Sequence, residues 1–229
     1  MRALSGLSTI YYTQGDSARG IELAIRCLTL SSAIKNSALL AHLHYNAGMV
    51  AWRCGKISEA VSYQEQALRQ MQVAQSSLSP NWGILHGSVI PVQLALDLLY
   101  LGRVCDAAKA AEEGVRYARE SKHLLTLGGA LAIGGAQFAL DQPQPDNALA
   151  PCEEVIALSE ENGFAEWLPW GRFIHSWAMF ELGQTGQRLL EMETGLTEFD
   201  RLGGVPRLQY LIAVRAAALA RIGRGMMRS

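Results

Sequence analysis

The chain has 229 residues, 49% of them apolar, with 20 Lys and Arg against 21 Asp and Glu and a net charge of −1. That supplies enough apolar surface for a sizeable core, and the missing basic excess argues against nucleic acid as a direct ligand. The sequence shows no unbroken apolar run of membrane-spanning length, and "RALSGLSTIYYTQGD" after Met1 lacks the apolar stretch of a signal peptide, so it reads as a cytoplasmic protein with no membrane span.

The predicted elements come in pairs. The first helix starts almost at Met1 and ends at "YTQGDSARG", where Gly15 suits a left-handed C-cap and Asp16 and Ser17 suit the N-cap of a helix starting near Ala18. Next come an apolar helix, "SALLAHLHYNAGMVAW", the corner "WRCGKISEA", and the more polar amphipathic "ISEAVSYQEQALRQMQ". After a loop insertion at "SSLSPNWG", residues 76–83, the alternation resumes around "YLGRVCDAA", "ALDQPQPDNA", "FELGQTGQR" and "ARIGRG". The corner residues Gly15, Gly55, Gly102, Pro143, Gly183 and Gly223 stand 40, 47, 41, 40 and 40 apart. Near-equal periods of this length signal a helical repeat array. The expected fold is all-α, a right-handed superhelix of about eleven antiparallel paired helices with a period of about 40 residues. The chain is expected to be one repeat domain, 1–229, with repeats near 1–36, 37–76, 84–122, 123–162 and 163–203 and an incomplete one at 204–229. The incomplete last pair, with the apolar "YLIAVRAAALARI" at 210–222 where a polar cap is usual, points to a fragment of a larger protein or a chain capped by a partner, a homodimer through an end face among the options.

The stretch "YYTQGDSARGIELAIRCL" resembles the tetratricopeptide repeat, with its corner glycine and a small residue five positions later at Gly20, Ala60, Ala107 and Ala148. Seven residues before each corner that pattern asks for a small side chain where two helices touch, and Ser8, Gly48, Ala95, Ala136, Ser176 and Ala216 supply it. The period departs from the family's 34 residues, and His175 and Arg215 stand where the pattern carries leucine. "NGFAEWLPWGRFIHSWAMFELGQ", with "GLTEFDRLGG" and "YLIAVRAAALARIG", is similar to the helical repeats that follow the ATPase module in bacterial class III adenylate cyclases and LuxR-type ATP-dependent regulators. This resemblance implies a sensing or scaffolding segment, with a linked ATPase or cyclase domain as one partner.

The resemblance also assigns an inner face. It collects Trp170, Phe173, Trp177 and Phe180, spaced three, four and three apart on one helical stripe; His42, Tyr45, Met49 and Trp52 from the second repeat; and Tyr210 from the last. These are the candidate partner-binding residues. Two arrangements fit them: an aromatic core, or an open groove for an apolar helix or extended peptide. His175 is expected to be a satisfied interior histidine, and Arg215 is expected to find an acceptor, because an unpaired buried guanidinium is costly.

Motifs for chemistry are scarce. "GKIS" at Gly55–Ser58 lacks the upstream loop of a phosphate cradle, "GGALAIGGA" lies inside an apolar helix, and no HExxH occurs. His42 and His44 project about 200° apart on a helix and cannot share a metal. Glu153/Glu154 and Glu160/Glu161 are adjacent pairs that diverge, which suits a solvated face. Cys27, Cys54, Cys105 and Cys152 are evenly spread and read as small buried hydrophobes. The sequence therefore predicts a non-enzymatic protein or peptide binder with neither metal nor cofactor. The alternative is a small-molecule sensor within a cyclase or ATP-dependent regulator.

Overall fold

The computed structural model describes residues 2–31, 35–74, 86–202 and 205–226, and among them every regular element is helical, with no strand. The helices are α1 Arg2–Thr13, α2 Ser17–Leu30, α3 Ser37–Arg53, α4 Ile57–Val73, α5 His86–Tyr100 and α6 Val104–Ser121. They continue with the helical run α7, Leu124–Asp141, then α8 Pro145–Asn162, α9 Trp167–Glu181, α10 Thr185–Arg201 and α11 Val205–Met226. The fold is the expected all-α, tetratricopeptide-like array. The chain divides into two compact units, Met1–Ala130 and Leu131–Ser229.

Each pair closes through the same backbone device. The amides of Asp16, Lys56, Arg103, Gln144 and Gln184 donate to the carbonyls five residues back, at 2.9 to 3.0 Å. This is the six-to-one bond of a Schellman corner, which needs a left-handed residue between the two helices. Gly15, Gly55, Gly102 and Gly183 supply it at φ 86°, 73°, 76° and 98°. Pro143 takes the same corner at φ 25°, where its ring would otherwise hold φ near −65°. The start of α2 is as anticipated, with Asp16 Oδ1 accepting from the Arg19 amide at 3.2 Å, and α3 is capped in the same way by Asn36 Oδ1, which accepts from the Leu39 amide at 2.9 Å.

In the first unit, α1 packs on α2, α3 on α4 and α5 on α6, and each first helix also touches the first helix of the next pair. The crossing points are small and buried: Ser8, Ala60, Ala95 and Ala107 are fully enclosed. Ser8 Oγ donates to the Gly20 carbonyl at 2.8 Å, tying α1 to α2 at the point of closest approach. In the second unit α8 packs on the C-terminal part of α7, α9 sits between α8 and α10, and α10 carries α11. Within α7 the α pattern of Leu124–Ala130 gives way to a π-helical stretch, Leu131–Gln137, before returning at Phe138–Asp141. A Cβ on Gly135 would lie 2.7 Å from Pro151 Cβ, so glycine is what admits α8.

Three sequence expectations are corrected. Gly223 lies inside α11, not at a corner. Ala216 is exposed, because no second helix covers α11 among the described residues, whereas the other five crossing residues are buried. Cys27 and Cys152 are buried as expected, but Cys54 is half-buried and Cys105 exposed, since the latter two sit at corners. Leu124–Asp141 is long and apolar enough by composition to cross a membrane, because its few polar residues do not lower its mean hydropathy much; 67% of it is buried in the protein, as in a core helix. The loop insertion at 76–83 lies outside the described residues.

The corner geometry predicts that Gly102→Ala, at φ 76° with nothing within 4 Å of the added Cβ, loses about 1 kcal/mol through backbone strain alone. Gly186→Ala, equally uncrowded but without a positive φ, should be neutral or slightly stabilising. Urea denaturation of the two variants beside the parent chain checks both.

Candidate functional site

The aromatic stripe of α9 lies inside the second unit. Trp170, Phe173, Trp177 and Phe180 are all buried, at 5% exposure or less. Gly163 at φ 72° ends α8, and Pro169 sits in the first turn of α9, where its missing amide hydrogen costs nothing. Trp170 then reaches the π-helical stretch of α7, and its Nε1–H donates to the Ala132 carbonyl at 3.2 Å. Its ring also packs on Phe199 of α10, with centroids 5.3 Å apart. In this helix the packed arrangement is the one realised. Tyr210, half-buried on α11, donates from Oη to Asp141 Oδ1 in the same unit.

The first unit holds His42, Tyr45, Met49 and Trp52 on α3. His42 is buried and the other three are half-buried. His42 is the centre of a polar seam that the sequence did not reveal. Ser5 Oγ lies 3.1 Å from His42 Nε2, and His42 Nδ1 lies 3.2 Å from His86 Nε2. Asn46 Nδ2 donates to Ser5 at 3.2 Å, and Thr9 Oγ1 donates to Asn46 Oδ1 at 3.2 Å. Tyr45 meets the His86 ring edge-on at 5.7 Å. Among the described residues, His86 Nδ1 is buried without a hydrogen-bond partner. Burial first, and the neighbouring His42 second, push the His86 pKa down to about 4. His86 therefore stays neutral and acts as core, because a cation there would be desolvated. His44 points elsewhere, its ring 6.4 Å from Tyr63, as the two-residue offset requires.

A cavity of about 300 Å³ opens in the second unit between α8, α9 and α10, lined by Ile156, Arg172, His175, Ser176, Glu191, Thr194 and Gly195. His175 is half-buried, and among the described residues no hydrogen bond reaches its ring, so it is not the satisfied interior histidine expected. Glu191 Oε2 accepts from Ser176 Oγ at 3.0 Å and from Arg188 Nη1 at 2.7 Å. Burial pushes the Glu191 carboxyl up, but those two hydrogen bonds and the charge of Arg188 outweigh it and hold it below its ordinary value. Arg172 is tied to Glu160 at 3.0 Å and to Glu198 at 3.5 Å. The leucine-to-histidine departure at 175 was the sequence signal for this cavity. Glu191 and Thr194, on a polar second helix, carried none.

Arg215 does find an acceptor, and it is Glu193; Glu181 pairs with Arg221 instead. Beyond these ion pairs α11 exposes Ile212, Ala213, Ala216, Ala217, Leu219 and Ala220, while burying Leu211 and Ala218. Among the described residues no group of three metal-ligating side chains converges.

Residues 1–72 match the tetratricopeptide repeat family model. No curated protein matches the chain. Similar solved structures include two of nearly identical tetratricopeptide-like repeats assigned to a kinesin light chain from Podosopora anserina. One of them is 15% identical with a TM-score of 0.62, covering 88% of this chain and 95% of that one. The other is also 15% identical, with a TM-score of 0.60 and coverage of 97% and 96%. Aspartyl phosphate phosphatase F from Bacillus subtilis is similar at 15% identity and a TM-score of 0.68, over 96% of this chain and 56% of that one. At this identity the likeness is one of fold, and the chain spans just over half of the phosphatase.

Two outcomes follow from the geometry. Trp170→Ala removes a fully enclosed indole and its hydrogen bond, and should cost about 3–5 kcal/mol of stability, read as a large fall in the urea midpoint. For His86, the unfolded ring titrates at 6.5 and the folded one at about 4, so the unfolded state alone takes up a proton between those values. Stability is then full above the unfolded pKa. It falls by about 1.4 kcal/mol per pH unit as pH drops through the window. His86→Gln should remove that component, seen as a smaller loss between about pH 6.5 and about pH 5 than in the parent chain.

Proposed function

We propose that this chain is a non-enzymatic protein-interaction module of a bacterial signalling or regulatory protein, and that its principal binding surface is the open face of α11. One observation carries this reading. In α1, α3, α5, α7 and α9 the small crossing residue is buried, but in α11 its counterpart Ala216 is exposed with Ile212 and Leu219 beside it. Covering such a face removes apolar area from water at about 25 cal/mol per Å². A helix laid into the face would do so in the way α10 covers α9, the helix-in-groove mode of recognition.

The sequence of α11 also suggests the partner's character. It carries no acidic residue and four arginines, at 207, 215, 221 and 224, of which Arg215 and Arg221 are already paired with Glu193 and Glu181. An amphipathic helix with an apolar stripe and acidic flanks complements it. The half-buried Tyr45, Met49 and Trp52 of α3 offer a second contact surface in the first unit. The tetratricopeptide match supports protein binding, since such repeats generally mediate it, and a linked ATPase or cyclase domain is the partner the sequence resemblance favours. A second reading, a small-molecule sensor within a cyclase or ATP-dependent regulator, is favoured by the cavity at His175.

A peptide of Thr185–Arg201, the helix that covers the matching face of α9, is a direct probe. It should bind the intact chain, and Leu219→Asp should weaken it by about tenfold or more, the equivalent of one lost leucine contact, with an unchanged melting temperature. Equal affinity for the variant would remove α11 from consideration. A concentration-dependent dimer in light scattering that Leu219→Asp abolishes would name a second copy as the occupant.

A further inference from the structure

The cavity between α8, α9 and α10 is not built like a gap between packed helices. Nearly every polar group on its wall is already paired. Arg172 is held by Glu160 and Glu198, Ser176 and Arg188 by Glu191, and Thr194 Oγ1 donates to the Leu190 carbonyl at 3.0 Å. Two hydrogen-bonding groups remain. Both bonds to Glu191 end on Oε2, so Oε1 is without one among the described residues, and the ring of His175 likewise has none. Both line the same space of about 300 Å³, a volume at the lower end of small-ligand pockets.

What these two groups share is the capacity to accept. Glu191 is an ionised carboxylate, and a neutral imidazole offers one ring nitrogen as acceptor. The surrounding charges lean the same way. Arg172 and Glu191 line the cavity with opposite charges, and the ion pairs that reach them from outside, Glu160 and Glu198 on Arg172 and Arg188 on Glu191, leave one carboxylate in excess around the site when His175 is neutral. Ile156 supplies an apolar wall beside them.

We propose that this cavity binds a primary ammonium group, its N–H donors shared between Glu191 Oε1 and the His175 ring, with its hydrocarbon part along Ile156. The group could belong to a free alkylamine or to a lysine side chain of a protein. The site deepens the sensor reading and rests on it, and it is independent of helix docking at α11. Failure of the amine titration leaves the Thr185–Arg201 peptide result untouched, and a thermal-shift survey of non-amine metabolites tests the sensor reading apart from this ligand class.

Titration of the intact chain with n-butylammonium chloride, followed by the His175 ring resonances, is the test. Tetramethylammonium chloride serves as a control of equal charge without N–H donors, and Nα-acetyl-lysine amide as the second source. Saturable binding of butylammonium or of the lysine derivative, weakened about tenfold in Glu191→Gln by loss of one charge-assisted hydrogen bond, supports the site; whichever binds names the source. His175→Leu restores the residue of the repeat pattern, so it should fold with an undiminished melting temperature while losing the ligand, read by calorimetry. Equal binding of tetramethylammonium, undiminished affinity in both variants, or no saturation by either amine would overturn the proposal.

Discussion

A single backbone bond, from the amide beyond each corner to the carbonyl five residues back, sets the geometry on which the rest depends. It recurs at Asp16, Lys56, Arg103, Gln144 and Gln184. It reverses the chain in about three residues and fixes how closely the two helices of a pair lie. Close helices then admit only small side chains where they cross, which is why Ser8, Ala95, Ala136 and Ser176 are nearly inaccessible. Large side chains are pushed to the remaining faces, and on α9 these become the tryptophan and phenylalanine core of the second unit.

Chemistry enters where side chains depart from that rule. Histidine in place of leucine at 175 leaves a ring without a hydrogen bond among the described residues, beside a carboxylate with one oxygen likewise unbonded. Arginine in place of leucine at 215 is tolerated because Glu193 reaches it. The first unit carries its buried polar groups differently. Ser5, His42 and His86 come from three first helices and join in a buried chain of hydrogen bonds that leaves His86 Nδ1 without a partner among the described residues. That seam is a matter of stability, while the cavity at His175 is where we propose that an amine binds.

The repeat architecture was legible because its signals are local. Corner glycines, cap residues and crossing positions are read within a few residues of one another, and Gly163, Pro169 and Asp16 behave as their local chemistry requires. The fate of the aromatic stripe was not legible, since whether Trp170 faces solvent or Phe199 depends on how α9 sits between α8 and α10. The His42–His86 contact spans 44 positions, and no periodicity relates them. Ala216 satisfied the pattern yet is exposed, because a crossing residue is buried only if a second helix arrives.

The π-helical stretch Leu131–Gln137 has a numerical counterpart in the corner spacing. From Gly102 to Pro143 is 41 residues, against 40 for most intervals. A π turn holds one more residue than an α turn over nearly the same rise. The helix thus takes in a surplus amino acid within its π-helical stretch. The bulge also turns the Ala132 carbonyl into an acceptor for the Trp170 indole. A length change that would elsewhere rotate half a helix out of register has here become a fastening point for the core.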